Sequence, residues 1–323
     1  MKKLLITTII LMGSGHIMAE GKIGGRISST VEYERDGNGK DSTTLSDNES
    51  RLWIMGSEDL GGDLKLIYGL NSFVAFDYNG WATDDSYVGL RGKFGTFKLG
   101  RLSTPLHYLT SEQDAFPGNS YAKTFGRFTR FGGREIAMAY ESVPKNGFNY
   151  RIQLAPGYNK YQDPDRDSDW QAGLGLHYRH PDNGFNAHYA LEYAKDGSPD
   201  AKKDRHVHSL KIGYDKDKLS LAAGFQYAGK VPDRFHWEDP DEDVTDTKDY
   251  QITAGYKFGV FQPQIGIAYG RSGSGKNYRQ LAISNRYDFS KRTKVELGAG
   301  VVKESRDPKK SWALGMTLTH SLQ

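Results

Sequence analysis

The stretch "YVGLRGKFGTFKLGR", residues 87–101, alternates twice around a short break. Val88 and Leu90 alternate with Gly89, Arg91 and Lys93. After Phe94 and Gly95, Phe97 and Leu99 alternate with Thr96, Lys98 and Gly100. A period of two places successive side chains on opposite faces of a β-strand, and the Phe-Gly break reads as a hairpin turn. One face is apolar and the other is small and basic. In a water-soluble protein the apolar face would pack on a core.

The same rhythm recurs in "REIAMAYES" (134–142), "FNYRIQLA" (148–155), "FNAHYALEY" (185–193) and "YQITAGYKF" (250–258). The composition gives these strands little core to share. Aromatics reach 12%, led by 20 tyrosines, yet the mean hydropathy is −0.67. A barrel that is apolar outside and polar inside yields this mixture, with Tyr and Trp at the two membrane surfaces. Only a closed barrel lets such strands cross lipid with every backbone group paired.

Counting from 22–34 and 50–57, through 85–93 and 95–102, to 294–303 and 311–322 gives sixteen strands. The expectation is an all-β fold, a 16-stranded antiparallel transmembrane β-barrel, with residues 35–49 read as a loop. Short turns such as "PKNG" (144–147) and "PDNG" (181–184) alternate with longer polar loops, by far the longest at 102–132. Turns on one side and long loops on the other suit a barrel of the outer membrane.

Residues 1–19 carry Lys2 and Lys3, an apolar run and a final Ala19, the pattern of a cleaved secretory signal. The barrel domain is then residues 20–323. Removing the signal leaves 43 less 2, or 41, basic residues against 40 acidic ones. That balance argues against a nucleic-acid partner. The absence of cysteine rules out disulfides and thiolate metal sites.

Other motifs read blandly. "GRSGSGKN" (270–277) nearly fits a phosphate-binding loop but lacks the Ser or Thr after Gly-Lys and runs on as a strand. "DPDRDSD" (163–169) and "EDPDEDVTD" (238–246) are acidic outer loops, with loose cation bridging to lipopolysaccharide the minor alternative. His206 and His208 share an outward face without a third metal ligand. No catalytic set stands out, and no cofactor or metal is expected.

"SRLWIMGSEDLGGDLKLIYGL" (50–70), "SYVGLRGKFGTFKLGR" (86–101), "YESVPKNGFNY" (140–150) and "YDFSKRT" (287–293) resemble the trimeric general porins of Gram-negative outer membranes, of the neisserial and β-proteobacterial type. The resemblance implies a homotrimer, surrounded by lipid and lipopolysaccharide, with one water-filled pore per protomer and the third loop, here 102–132, folded inward as a constriction. It also implies acids on that loop facing a basic wall. The wall positions matching the family are Arg26 and Arg51; alternation adds Lys65 and Arg91, and the loop acids are Glu112 and Asp114. Asp84 stands where an Arg is frequent in the family, and the chain ends Leu322-Gln323 in place of an outward Phe.

The function expected is passive diffusion of ions and small hydrophilic solutes. A substrate-specific channel and, less so, a barrel enzyme are the alternatives. By alternation Arg26, Arg51, Lys65, Arg91, Lys93, Lys98, Arg151, Lys211, Lys257 and Arg286 face inward against Glu135, Glu141, Glu192, Asp288 and Glu296. This suggests a weak anion preference that the constriction could reverse.

Overall fold

A computed structural model describes residues 20–74, 83–110, 133–156, 170–195, 204–232 and 244–322. Among the described residues, seventeen strands form one antiparallel sheet that closes on itself. They are β1 (Glu20–Arg35), β2 (Asp41–Asp47), β3 (Arg51–Gly61), β4 (Leu64–Phe73), β5 (Ser86–Gly92), β6 (Gly95–Ser103), β7 (Arg134–Glu141), β8 (Phe148–Ala155) and β9 (Gln171–Arg179). There follow β10 (Phe185–Ala194), β11 (Arg205–Lys216), β12 (Leu219–Pro232), β13 (Val244–Tyr256), β14 (Phe261–Ser272), β15 (Asn277–Asp288), β16 (Thr293–Glu304) and β17 (Ser311–Ser321). A short helix, α1 (Pro105–Thr110), follows β6.

The barrel has sixteen staves because β2 and β3 are two halves of one. Residues 29–35 of β1 pair with β2, and residues 20–26 pair with β3. The halves meet at Asn48-Glu49-Ser50, where Glu49 adopts a φ of 63°. This corrects the reading of 35–49 as a loop. "STTLSD" carries no apolar face, which is the sequence signal of a membrane strand. It forms a strand nonetheless because β1 offers it a backbone edge. Asp36 caps the connecting turn by accepting the amides of Asn38 and Lys40 at 2.9 and 2.8 Å.

The ring closes where β1 meets β17, in register from Arg26–Ser321 to Arg35–Trp312. Hydroxyl pairs line the inner side of this seam: Ser28 Oγ lies 2.8 Å from Thr319 Oγ1, and Thr30 Oγ1 lies 2.6 Å from Thr317 Oγ1.

The two faces of the wall are inverted relative to a soluble protein. Ile23, Ile27, Val88, Leu90, Phe97, Leu99, Ile252, Ile267, Leu281, Ile283 and Leu318 are all exposed, while Ser28, Thr30, Glu32, Gln226, Asp249, Gln251, Gln280 and Thr319 are buried. Leaving one large apolar side chain in water forgoes about 1.5–3 kcal/mol of burial, so a girdle of them is stable only in a non-aqueous surround. Outward aromatics gather near the short turns, as in the Tyr140–Tyr150 and Phe261–Tyr287–Phe289 contacts. Others, such as Tyr33–Trp312 and Trp170–Tyr193, gather at the far ends of the strands. Two such belts mark two membrane interfaces. The apolar face of "YVGLRGKFGTFKLGR" therefore meets the surround, and the face of Gly89, Arg91 and Lys98 turns to the interior.

Candidate functional site: the barrel interior

The segment that leaves β6 is tied to the inner wall. Thr104 and Pro105 supply a helix N-cap and a first helical position for α1, and Thr104 Oγ1 accepts the His107 amide at 3.3 Å. Thr104 and Gly133 close the neck of the long connection: the Thr104 amide donates to the Gly133 carbonyl at 2.9 Å, and the Gly133 amide donates to Thr104 Oγ1 at 3.2 Å.

From that neck α1 lies across to β8–β11. Leu106 is buried among Ala190, Ala194, Val207, Ala228 and Val231, all on inward parity. Its amide donates to Glu192 Oε1 at 2.7 Å. Gly173 makes room for the approach, since a Cβ there would come within 2.8 Å of the Pro105 ring.

The base of the segment is held by charge. Arg151 Nη2 donates to the Ser103 carbonyl at 2.8 Å and to Gln153 Oε1 at 2.9 Å, while Nη1 pairs with Glu141 at 3.0 Å. Glu141 also takes Lys98 at 3.1 Å. Asp85 accepts both the amide and the hydroxyl of Ser103, at 2.7 and 2.6 Å. Arg151 and Lys98 thus share a counter-ion on the wall.

A second cluster sits where β1, β3 and β4 run side by side. Arg26 and Arg51, the two wall positions that match the family pattern, are direct register partners. Arg26 Nη2 pairs with Glu49 Oε2 at 2.6 Å, and Arg51 Nη2 reaches the same oxygen at 3.0 Å. The Arg51 guanidinium lies over the Phe73 ring, 4.7 Å from its centre, and its Nη1 meets buried Asp84 at 3.1 Å. Glu49 and Asp84 compensate the basic pair.

Of the six residues expected at a constriction, the structure brings together Arg26 and Arg51. Lys65 and Arg91 are register partners of each other and are exposed near the short turns. Lys65 lies eight residues along β4 from Phe73, the partner of Arg51, or about 27 Å at roughly 3.4 Å per residue. Glu112 and Asp114 lie outside the described residues. Lys93, read as a wall charge, sits instead on the turn after β5, where its side chain is 87% exposed and pairs with Asp63 at 2.6 Å. Alternation failed there because a turn breaks the period.

Sequence reasoning also undercounted inward acids. Glu32, Asp84, Asp249 and Glu304 are all buried on the inner face. Glu49 escaped because it falls in the break between β2 and β3, where parity carries no information. For Asp84 the signal was present, in the departure from the family's Arg.

The Gram-negative porin family model matches residues 7–307 of the sequence. The chain belongs to the Gram-negative porins. It is 28% identical to the major outer membrane protein P.IB of Neisseria sicca, over 95% of each chain. It is 29% identical to P.IB of Neisseria meningitidis serogroup B, over 99% of each. An anion-selective porin from Comamonas acidovorans superimposes with a TM-score of 0.79 at 21% identity, covering 94% of this chain and 99% of that one. Salmonella typhi OmpF, solved with daunomycin, gives 0.70 at 16% identity, over 93% and 97%. This porin is a multi-pass protein of the outer membrane, and its barrel is a passive-diffusion channel.

Proposed function

We propose that residues 102–132 form the constriction of this channel and that the Arg26–Glu49–Arg51–Asp84 cluster is the wall opposite it. The observation that carries this reading is the seating of α1: Leu106 is buried on the inward residues of β10–β12 and its amide is held by Glu192. The described ends of this connection, α1 on the inner wall and Gly133 at the same neck, support an inward course for it. Glu112 and Asp114 follow α1 directly in sequence and would bring negative charge into the gap.

Small hydrophilic solutes and ions then pass through water between loop and wall. Because each wall arginine already has a carboxylate partner, the ion preference is weak and shallow, less basic than the count of inward lysines and arginines suggests. Opposed charges across a narrow gap orient polar solutes and disfavour apolar ones. The chemistry proposed is therefore selection by width and field, with no bond made or broken. Residues 1–19 would be removed on export, leaving 20–323 as the barrel.

The channel is proposed to be a homotrimer in contact with lipid and lipopolysaccharide. One of the solved structures it resembles is a trimer form of Vibrio cholerae OmpT, with a TM-score of 0.69 at 13% identity. The small outward residues Ser29 on β1 and Gly56 on β3 favour this side of the barrel as the one that meets a neighbour, although Leu322 covers Gly25 and the Phe94 ring covers Gly92.

The test is single-channel conductance in planar bilayers with a cysteine at position 114. Modification by a charged thiol reagent should lower the conductance of Asp114→Cys and leave the cysteine-free parent unchanged. Full modification without a change in conductance would overturn the placement of the loop.

A further inference from the structure

We propose that His177 and His188 form a two-imidazole site for a divalent transition-metal ion on the inner wall of the barrel. The two residues are direct register partners on β9 and β10. Both have the parity of Gly173, Gly175 and Glu192, the positions against which the α1 segment packs. Their Nδ1 atoms lie 2.9 Å apart, with ring centres separated by 5.2 Å. As the site stands, one Nδ1 donates a hydrogen bond to the other. A metal ion replaces that shared proton.

The spacing fits the replacement. Metal–imidazole bonds are about 2.0–2.1 Å long, so two nitrogens bound at right angles to one metal lie about 2.9 Å apart. A tetragonal ion such as Cu(II) or Ni(II) has that angle between neighbouring ligands, and Cu(II) binds nitrogen most strongly of the first-row divalents. Each ring has to turn by about 45° for its lone pair to leave the line between the two nitrogens and point at a common metal.

The backbone shapes the place. A Cβ on Gly175 would sit 3.0 Å from His177 Nε2 and 3.3 Å from Pro105 Cβ. The glycine thus lets the ring fold back between the wall and the start of α1, which limits its freedom before any metal arrives.

The charged groups facing the pair set its strength. Arg151 and Glu141 face His177, and Lys211 and Arg179 face His188. Glu141 is shared by Arg151 at 3.0 Å and Lys98 at 3.1 Å, so a positive charge is left over there and works against a cation. Lys211 is the register partner of His188 and opposes a cation. Among the described residues no set of three or more His, Asp or Glu converges, so the remaining coordination positions fall to water. Two imidazoles beside a lysine make a site of moderate affinity, open to ions passing through the interior.

The inference rests on the reading of this face as the lumen, and its test separates the two. Trimers purified with chelator and then dialysed are titrated with Cu(II) alone and followed by electron paramagnetic resonance. The parent should show a bound copper signal with two equatorial nitrogens. His177→Gln and His188→Gln should each lose that signature and weaken binding by at least about tenfold, one decade in the binding constant. His206→Gln/His208→Gln, which removes the outward pair, should leave it intact.

A copper signal that persists in both single variants, or that vanishes with the outward pair, overturns the site. So does the absence of any two-nitrogen signal in the parent. In bilayers, micromolar Cu(II) should reduce current through the parent and not through either single variant, with reversal by chelator. Copper bound with the two-nitrogen signature but without effect on current would leave the metal site standing and count against the lumen assignment of this face.

Discussion

The Arg51 guanidinium crosses the ring of Phe73 to reach Asp84 at 3.1 Å, so one wall charge is cancelled by an acid two strands away. Its other side shares Glu49 with Arg26. The cluster therefore carries two positive and two negative groups. Neutralising the acids by Glu49→Gln with Asp84→Asn should remove two negative charges beside the arginines and move the reversal potential toward anions. The shift should grow as salt is lowered, since the Debye length rises from about 10 Å at 0.1 M to about 30 Å at 0.01 M. Bi-ionic potentials in bilayers measure it; an unchanged potential at low salt would mean that this wall does not border the ion path.

The reciprocal change should act more strongly. Arg26→Ser with Arg51→Ser removes two cations and also leaves Glu49 and Asp84 without them. The local charge falls by two, and the reversal potential should move toward cations. Asp84 is also buried, and losing Arg51 removes one of the groups that offset the burial of its charge. The double variant should thus unfold at lower denaturant than the parent, and the parallel Asp84→Asn change should partly restore it. Potentials and denaturation midpoints on the same preparations decide both points.

Why the fold was legible and the cluster only half so follows from parity. Period-two alternation survives wherever a strand meets lipid on one side, which is why fifteen of the staves stood out from residues such as Ile136, Met138 and Tyr140 alone. The second stave was seen only as 50–57, because Asp41–Asp47 presents no apolar side chain except Leu45. Arg26 and Arg51 were legible because strand parity and family pattern coincide on them. Glu49, on a break with positive φ, and Lys93, on a turn, lie where parity says nothing. The His177–His188 contact depends on the pairing register of β9 with β10, which alternation within either strand does not specify.

Glu192 should matter as a hydrogen-bond acceptor. It takes the Leu106 amide at 2.7 Å and Gln171 Nε2 at 3.3 Å. Glu192→Gln keeps an acceptor oxygen, and its open-channel noise should stay close to the parent. Glu192→Ala strands a buried amide, a penalty of about 1–3 kcal/mol. The start of the loop should then detach from the wall part of the time, giving more frequent sub-conductance steps. Single-channel recordings of the two variants separate these cases; equal noise in both would mean that the anchor is redundant with Arg151 at Ser103.

Trimer formation should depend on the small outward residues of β3 and its neighbours. Gly56 pairs with Gly21 on one side and with Tyr68 on the other, and the Tyr68 side chain lies across the two glycines with its hydroxyl near Gly21, in the space their missing side chains leave. A tryptophan at this position would stand off any neighbour. The same residue at Ile265, an exposed position on β14 far around the ring, replaces one large apolar group by another. Both substitutions place an aromatic on an outward face, so barrel stability should change little in either. Gly56→Trp should nonetheless shift the purified protein from a three-chain to a one-chain species in mild detergent, while Ile265→Trp should stay three-chain. Native mass measurement and chemical crosslinking read the difference directly. A three-chain Gly56→Trp would move the subunit contact to another sector of the barrel, and a one-chain parent would remove it altogether.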